Sequence, residues 1–198
     1  MGKAAESIHK GVQVIERNAR SQLRIIEDIL DVSRIVRGQL RLETQPVDLQ
    51  LVVSEALESV SPAADAKRIT TAFEAYDGPC LLVADPERLR QILWNLVSNA
   101  VKFTDPGGSI CVSVRQESGS LVVEVRDTGW GIAPEFLPYV FDRFRQADGR
   151  VSRSAGGLGL GLAIVRHLVE MHGGRVTAQS AGLGLGSTFS VCLLYTSP

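Results

Sequence analysis

The sequence predicts an α+β protein: one long helix, then a domain that mixes helices with paired strands. Three observations carry this. An apolar stripe runs from Glu6 to about Arg41 without a proline. Leu89–Thr104, LRQILWNLVSNAVKFT, has helical spacing, with its polar groups gathered on one side. Two pairs of alternating segments, Ser109–Arg115 with Leu121–Arg126 and Arg175–Ser180 with Ser187–Leu194, are each joined by a glycine-bearing turn.

Composition narrows the function classes. The chain has 198 residues, 44% of them hydrophobic, which suits one soluble globular domain plus an appendage. A net charge of −1 gives no reason to expect a nucleic-acid partner or contact with an anionic membrane. Cys80, Cys111 and Cys192 lie far apart with no CxxC spacing, so free thiols in a reducing, cytoplasmic compartment are expected. No apolar run reaches the ~18 residues that a bilayer demands. Met1-Gly2-Lys3 leads directly into a polar helix rather than a signal peptide. That start reads as the edge of a fragment, whose longer parent is free to be membrane-anchored.

In the first helix, Ile8, Val12, Ile15, Ala19, Leu23, Ile26 and Leu30 step by threes and fours. A helix of ~35 residues with such a stripe needs a partner helix in a coiled coil or bundle, and a second copy is the expected partner. Leu42–Val47, with Pro46, reads as a linker. Asp48 is placed to cap a helix through Lys67, in which Pro62 signals a kink or an early end. Ile69–Tyr76 and Cys80–Ala84 are β-prone runs separated by the turn signal Asp77-Gly78-Pro79. Asp85-Pro86-Glu87 caps the next helix, with proline at its first position.

That next helix holds the first candidate site residues. Leu89, Ile92, Leu93, Leu96, Val97, Ala100 and Phe103 cover one broad side, and Asn95, Asn99 and Lys102 fall within roughly 60° of each other opposite. A carboxamide oxygen suits Mg²⁺, which keeps several waters and shares its site with substrate phosphates, and a lysine adds a point charge for phosphate. The plainer reading is a half-buried helix whose polar side faces water.

The strand Leu121–Arg126 runs into Asp127-Thr128-Gly129-Trp130-Gly131-Ile132. An ionised aspartate only accepts hydrogen bonds, so Asp127 suits the exocyclic amine of adenine and refuses a carbonyl there. An Asp-x-Gly turn without a ligand is the alternative. In Phe136–Phe144, FLPYVFDRF, one or two short helices are expected, with Phe141 and Phe144 as packing residues. Gln146–Ala155 is polar and aperiodic, a loop whose Arg150 or Arg153 has the reach for phosphate. Gly156-Gly157-Leu158-Gly159-Leu160-Gly161 opens a helix to His172, and free N–H groups at a helix start form an anion site. It is neither a Walker loop nor a dinucleotide fingerprint. His9, His167 and His172 have no metal-ligand spacing and read as structural or surface groups. Tyr195–Pro198 has no place in this scheme and reads as a foreign remnant.

NLVSNAVKFT, DTGWGI, FDRF and GGLGLGLAI stand in order, followed by GLGSTF. Together they resemble the asparagine, first glycine, phenylalanine, second glycine and third glycine boxes of the sensor histidine kinases, in the Bergerat-fold superfamily of gyrase, Hsp90, histidine kinases and MutL. The resemblance implies a two-layer α/β sandwich, a mixed sheet with helices on one face, over residues 46–194, preceded by the second helix of a dimerisation and phosphoacceptor domain in residues 1–45. It implies ATP and Mg²⁺ as ligands: Asn99 as metal ligand, Asn95 on phosphate or metal-bound water, Lys102 on phosphate, and Asp127 on the adenine amine. Gly129 and Gly131 would shape that pocket, with Ile132, Phe144 and Arg153 in the binding set. Gly157, Gly159 and Gly161 would bring backbone amides to the phosphates, with Leu158 and Leu160 between them, and Thr188 would close the adenine side. Residues 133–155 would be the lid. A homodimer and a response-regulator receiver domain are the implied protein partners.

Two positions refine the expectation. ATP-hydrolysing members carry a Glu four residues before the metal-binding Asn, and Asn95 stands there, unable to take a proton from water at neutral pH. A phosphotransferase is therefore favoured over a hydrolase. The family's His-Glu acceptor motif is absent, since His9 is followed by Lys10-Gly11. The acceptor helix is expected ahead of Met1, and this chain is expected not to phosphorylate itself.

Overall fold

The computed structural model describes residues 2–146 and 158–194, without side-chain environments for most of residues 2–24. It divides into two units, Met1–Leu40 and Arg41–Pro198. In the first, α1 spans Gly2–Val36. Val12, Ile15, Leu23, Ile26 and Leu30 are each at least half exposed, so the predicted stripe is present and uncovered. The helix stops short of Arg41. Gly38 takes a left-handed φ of 63°, and the N–H groups of Gly38 and Gln39 close on Ile35 O and Arg34 O.

The second unit is a helix layer on one face of a mixed sheet. Its helices are α2 (Leu49–Ala66), α3 (Pro86–Phe103) and α4 (Gly161–Met171). The five-stranded sheet runs β2 (Thr70–Glu74), β4 (Ser109–Glu117), β5 (Ser120–Asp127), β7 (Ser187–Leu194), β6 (Arg175–Gln179). Only the β2–β4 pair is parallel. Alternation sets the layers: Ile110, Val112, Val114, Val123, Val125, Val191 and Leu193 are buried, while Ser113, Glu124, Arg126 and Ser190 take the other face. Cys80, Cys111 and Cys192 are free thiols. Among the described residues no helix is long and apolar enough to cross a membrane.

Three expectations change. The supposed linker contains a strand, β1 (Gln45–Asp48), paired antiparallel with β3 (Leu81–Ala84) as a separate two-stranded sheet. Four residues beginning Gln-Pro give too little alternation to announce a strand. The turn expected at Asp77-Gly78-Pro79 is present as a bend, and it carries the chain from β2 to β3 in a different sheet. Helix α2 continues past Pro62, which is exposed, while Val60 and Ala64 on either side stay buried and hold the last turn to the core. A 3₁₀ turn, Leu137–Tyr139, stands where one or two short helices were expected.

Both ends of α3 are fully served. At its start, Asp85 accepts from the N–H groups of Glu87 and Arg88, and Pro86 needs no acceptor. At its end, the carbonyls that no helical turn can reach find partners elsewhere. Lys67 Nζ, just past α2, donates to Val101 O, Lys102 O and Thr104 O at 2.8, 2.9 and 3.0 Å. Trp130 N–H donates to Phe103 O at 3.1 Å. Lys67→Met removes this charged plug, and the orphaned carbonyls should lower unfolding free energy by about 1.5–3 kcal/mol. Urea denaturation should show a lower midpoint at unchanged slope; an unmoved midpoint would contradict this role.

Candidate functional site

The polar side of α3 does not face open water. Asn95 is buried, its Nδ2 donating to Gln91 O at 3.0 Å. Its Oδ1 lies so near the start of α4 that a Cβ added to Gly161 would come within 2.7 Å. A side chain at that position would have to displace the Asn95 amide. Asn99 is half-buried, and its carboxamide makes no hydrogen bond among the described residues. Lys102 is half-buried with Nζ 4.7 Å from the centre of the Phe103 ring, and desolvation pushes its pKa below the usual lysine range. Of these three side chains Asn95 is enclosed, and Asn99 and Lys102 are partly so.

Asp127 ends β5 as a buried carboxylate. Its Oδ1 accepts Gly129 N–H at 2.8 Å, the local turn foreseen as the alternative reading. Its Oδ2 accepts the Ser187 hydroxyl from the neighbouring strand, which a local turn does not require. Each oxygen keeps a lone pair for a further donor. The following loop interlocks with the glycine-rich β6–β7 turn. Gly184 N–H donates to Trp130 O at 2.7 Å and Gly186 N–H to Gly129 O at 3.1 Å. Ser180 Oγ accepts from Ile132 N–H at 2.9 Å and donates to Gly186 O at 2.7 Å. Gly131 has φ of 67°, and a Cβ there would stand 2.0 Å from Gly182 O.

Thr188 is placed apart from this. It pairs across the sheet with Arg126 and Gln179, one residue out of step with Asp127, and so faces the sheet's other side. The hydroxyl on Asp127 belongs to Ser187, which the sequence reading passed over. Ser180 was also missed. A lone serine carries no signal; only the β5–β7 register, Asp127 opposite Ser187, singles it out.

Among the described residues no side chain caps the start of α4, where free helix amides can receive an anion. Leu160 is buried in the core and offers only backbone, while Leu158 is 40% exposed. Phe144 N–H donates to Gly159 O at 3.1 Å, and a Cβ on Gly159 would meet Arg145 O at 2.6 Å. Phe141 packs edge-on against Phe189, as expected, but Phe144 is 67% exposed and packs poorly. Its left-handed φ of 60° turns it outward. Arg150, Arg153, Gly156 and Gly157 lie outside the described residues.

Among the described residues no three His, Cys, Asp or Glu side chains gather as a metal cluster. The unpartnered Asn99 carboxamide fits a different case, a Mg²⁺ whose remaining ligands are waters and nucleotide phosphates.

Residues 84–197 match the model of the histidine kinase-, DNA gyrase B-, and HSP90-like ATPases. The chain belongs to that family. It is 42% identical over 165 residues to the sensor histidine kinase GacS of Pseudomonas protegens, covering 81% of this chain and 18% of GacS. It is 40% identical over 168 residues to the histidine-protein kinase BarA of Escherichia coli, covering 82% of this chain and 18% of BarA. The crystal structure of full-length ShkA in complex with AMPPNP superposes with a TM-score of 0.81 at 32% identity, over 96% of this chain and 39% of ShkA. The chain therefore spans 18% of the length of those two relatives. Within the ATPase-family span lie Asn95, Asn99, Lys102, Asp127 and the start of α4.

The loop interlock makes one substitution decisive. Gly131→Ala puts a methyl onto Gly182 O and strains φ, so it should cost about 2 kcal/mol or more. Thermal unfolding should show a clearly lowered midpoint, whereas Gly119→Ala, also at positive φ but with open space around it, should lose much less.

Proposed function

We propose that this ATPase-family domain binds ATP with Mg²⁺ and transfers the γ-phosphoryl group to a histidine, for relay to a receiver-domain aspartate. The observation that carries the choice of reaction is Asn95. It is a buried neutral amide, tied to Gln91 O, at the position where hydrolytic members hold a carboxylate. It cannot activate water, so the bound phosphoryl group is kept for another nucleophile. The similarity to proteins named sensor histidine kinases supports the same reading.

In this reading Asp127 accepts the adenine amine, with Ser187 and Gly129 holding its carboxylate in place. Asn99 ligates Mg²⁺, and Lys102 meets a phosphate whose charge repays the cost of burying its ammonium. The open amides of α4 take the remaining phosphate charge. Mg²⁺, when bound with the nucleotide, neutralises phosphate charge along the transferred group. The exposed stripe of α1 meets a second copy, making a dimer. Residues 1–45 are then part of a dimerisation domain and 46–194 the ATP-binding domain. Of the described histidines, His172 is engaged with Asp85 N–H and Leu168 O, and none of the three histidines of the sequence sits in an acceptor motif, so self-phosphorylation is not expected.

Calorimetry and a transfer assay test this. Asn99→Ala should abolish Mg²⁺-dependent ATP binding; unchanged affinity would refute the metal assignment. Ser187→Ala should weaken ATP about tenfold, or about 1.4 kcal/mol, with Thr188→Val near native. Mixed with a histidine-bearing acceptor domain and labelled ATP, the chain should label the acceptor. Steady phosphate release without labelling would point to a hydrolase instead.

A further inference from the structure

The two helices that bear the site are joined a second time, at their far ends. Asp85 is buried at the start of α3, about 15 Å ahead of Asn95 along the axis. Its Oδ1 caps α3, and its Oδ2 accepts the N–H of Glu43 at 3.0 Å, from the segment that enters β1. Its own N–H donates to Nε2 of His172 at 3.1 Å, at the end of α4. A backbone N–H only donates, so Nε2 carries the lone pair and the ring proton sits on Nδ1, which donates to Leu168 O at 2.8 Å. One carboxylate and one neutral imidazole thus lock the entering segment, α3 and α4 together. Midway along α3, Asn95 meets Gly161 at the start of α4.

We infer that Asp85 and His172 are positioning residues that make the nucleotide site sensitive to the segment entering at Glu43. Releasing Glu43 frees one side of the Asp85 carboxylate, the clip to His172 loosens, and both helices lose their shared far anchor. The Asn95–Gly161 contact then loses the support of this second joint. The inference takes the ligand's identity from the ATP reading above, and its first measurement needs no ligand.

Two variants break the Glu43 bond from opposite sides and spare the α3 cap. Asp85→Asn keeps Oδ1 and turns an amide donor toward Glu43; Glu43→Pro removes the donor itself. In nucleotide-free protein, hydrogen exchange should quicken at 95–99 and 161–164 in both variants, with Glu87 and Arg88 still protected. His172→Leu should do the same, and His172→Gln, which restores an acceptor, should recover part of the protection. Unchanged exchange at 95–99 and 161–164 in both Glu43-releasing variants overturns the inference, whatever the nucleotide result. With ATP and Mg²⁺, Kd should rise about fivefold or more in both, and bound nucleotide should in turn slow exchange at Glu43 in the native chain. Quickened exchange with native Kd values also overturns it, because the site would then be indifferent to the clip. A native chain that binds no adenine nucleotide sinks the ATP reading alone, and the exchange data still decide the clip.

Discussion

The architecture rests on how the end of α3 disposes of its carbonyls. A helix terminus leaves four acceptors that its own turns cannot reach, and burying them unpaired is costly. Here a lysine from the end of α2 takes three carbonyls and the backbone of Trp130 takes Phe103 O. The first partner fixes α2 against α3. The second fixes the Asp127–Ile132 loop against α3. One electrostatic requirement therefore sets the position of the Asp127–Ile132 loop relative to the asparagines one and two turns back along the helix.

The loop is then held from its other side by glycine. Gly129, Gly131 and Gly186 let backbones approach to distances that any side chain would block. Trp130 adds a side-chain tie, its Nε1 donating to Asp105 at 2.7 Å. Rigid backbone placement of an acceptor-only group gives selectivity by the penalty for a mismatched partner: a carbonyl set against Asp127 would leave two acceptors facing each other. At the opposite end of the site, α4 starts with bare amides and α3 supplies neutral carboxamides. In the proposed reading that combination suits a polyanion that brings its own divalent ion, and Asn95 stands where a carboxylate would activate water.

Much of this was legible because the relevant signals are local. Asp48 and Asp85 announced their helices through capping chemistry, and the alternation of β4, β5, β6 and β7 gave those strands and the turns that join neighbours. Helical phase alone put Asn95, Asn99 and Lys102 on one side of α3. What escaped was non-local. The strand β1 exists only because β3 lies beside it, and the proline that suggested a linker sits at its second position. Ser187 and Ser180 matter through partners about fifty or sixty residues away. Thr188 was carried over for its place in a motif, and one step of strand alternation turns it to the opposite face. The same non-locality hides Lys67, an unremarkable basic residue until α3 ends beside it.

Asp127 is an acceptor held rigid by Gly129 and Ser187, and an amine is the partner proposed for it. The most direct test of that pairing is calorimetric titration of the native chain with ATP and with GTP at equal Mg²⁺. Binding of ATP with GTP weaker by at least about a hundredfold, or about 2.7 kcal/mol, is the expected result. Equal affinity for the two nucleotides, or binding of neither, would contradict it.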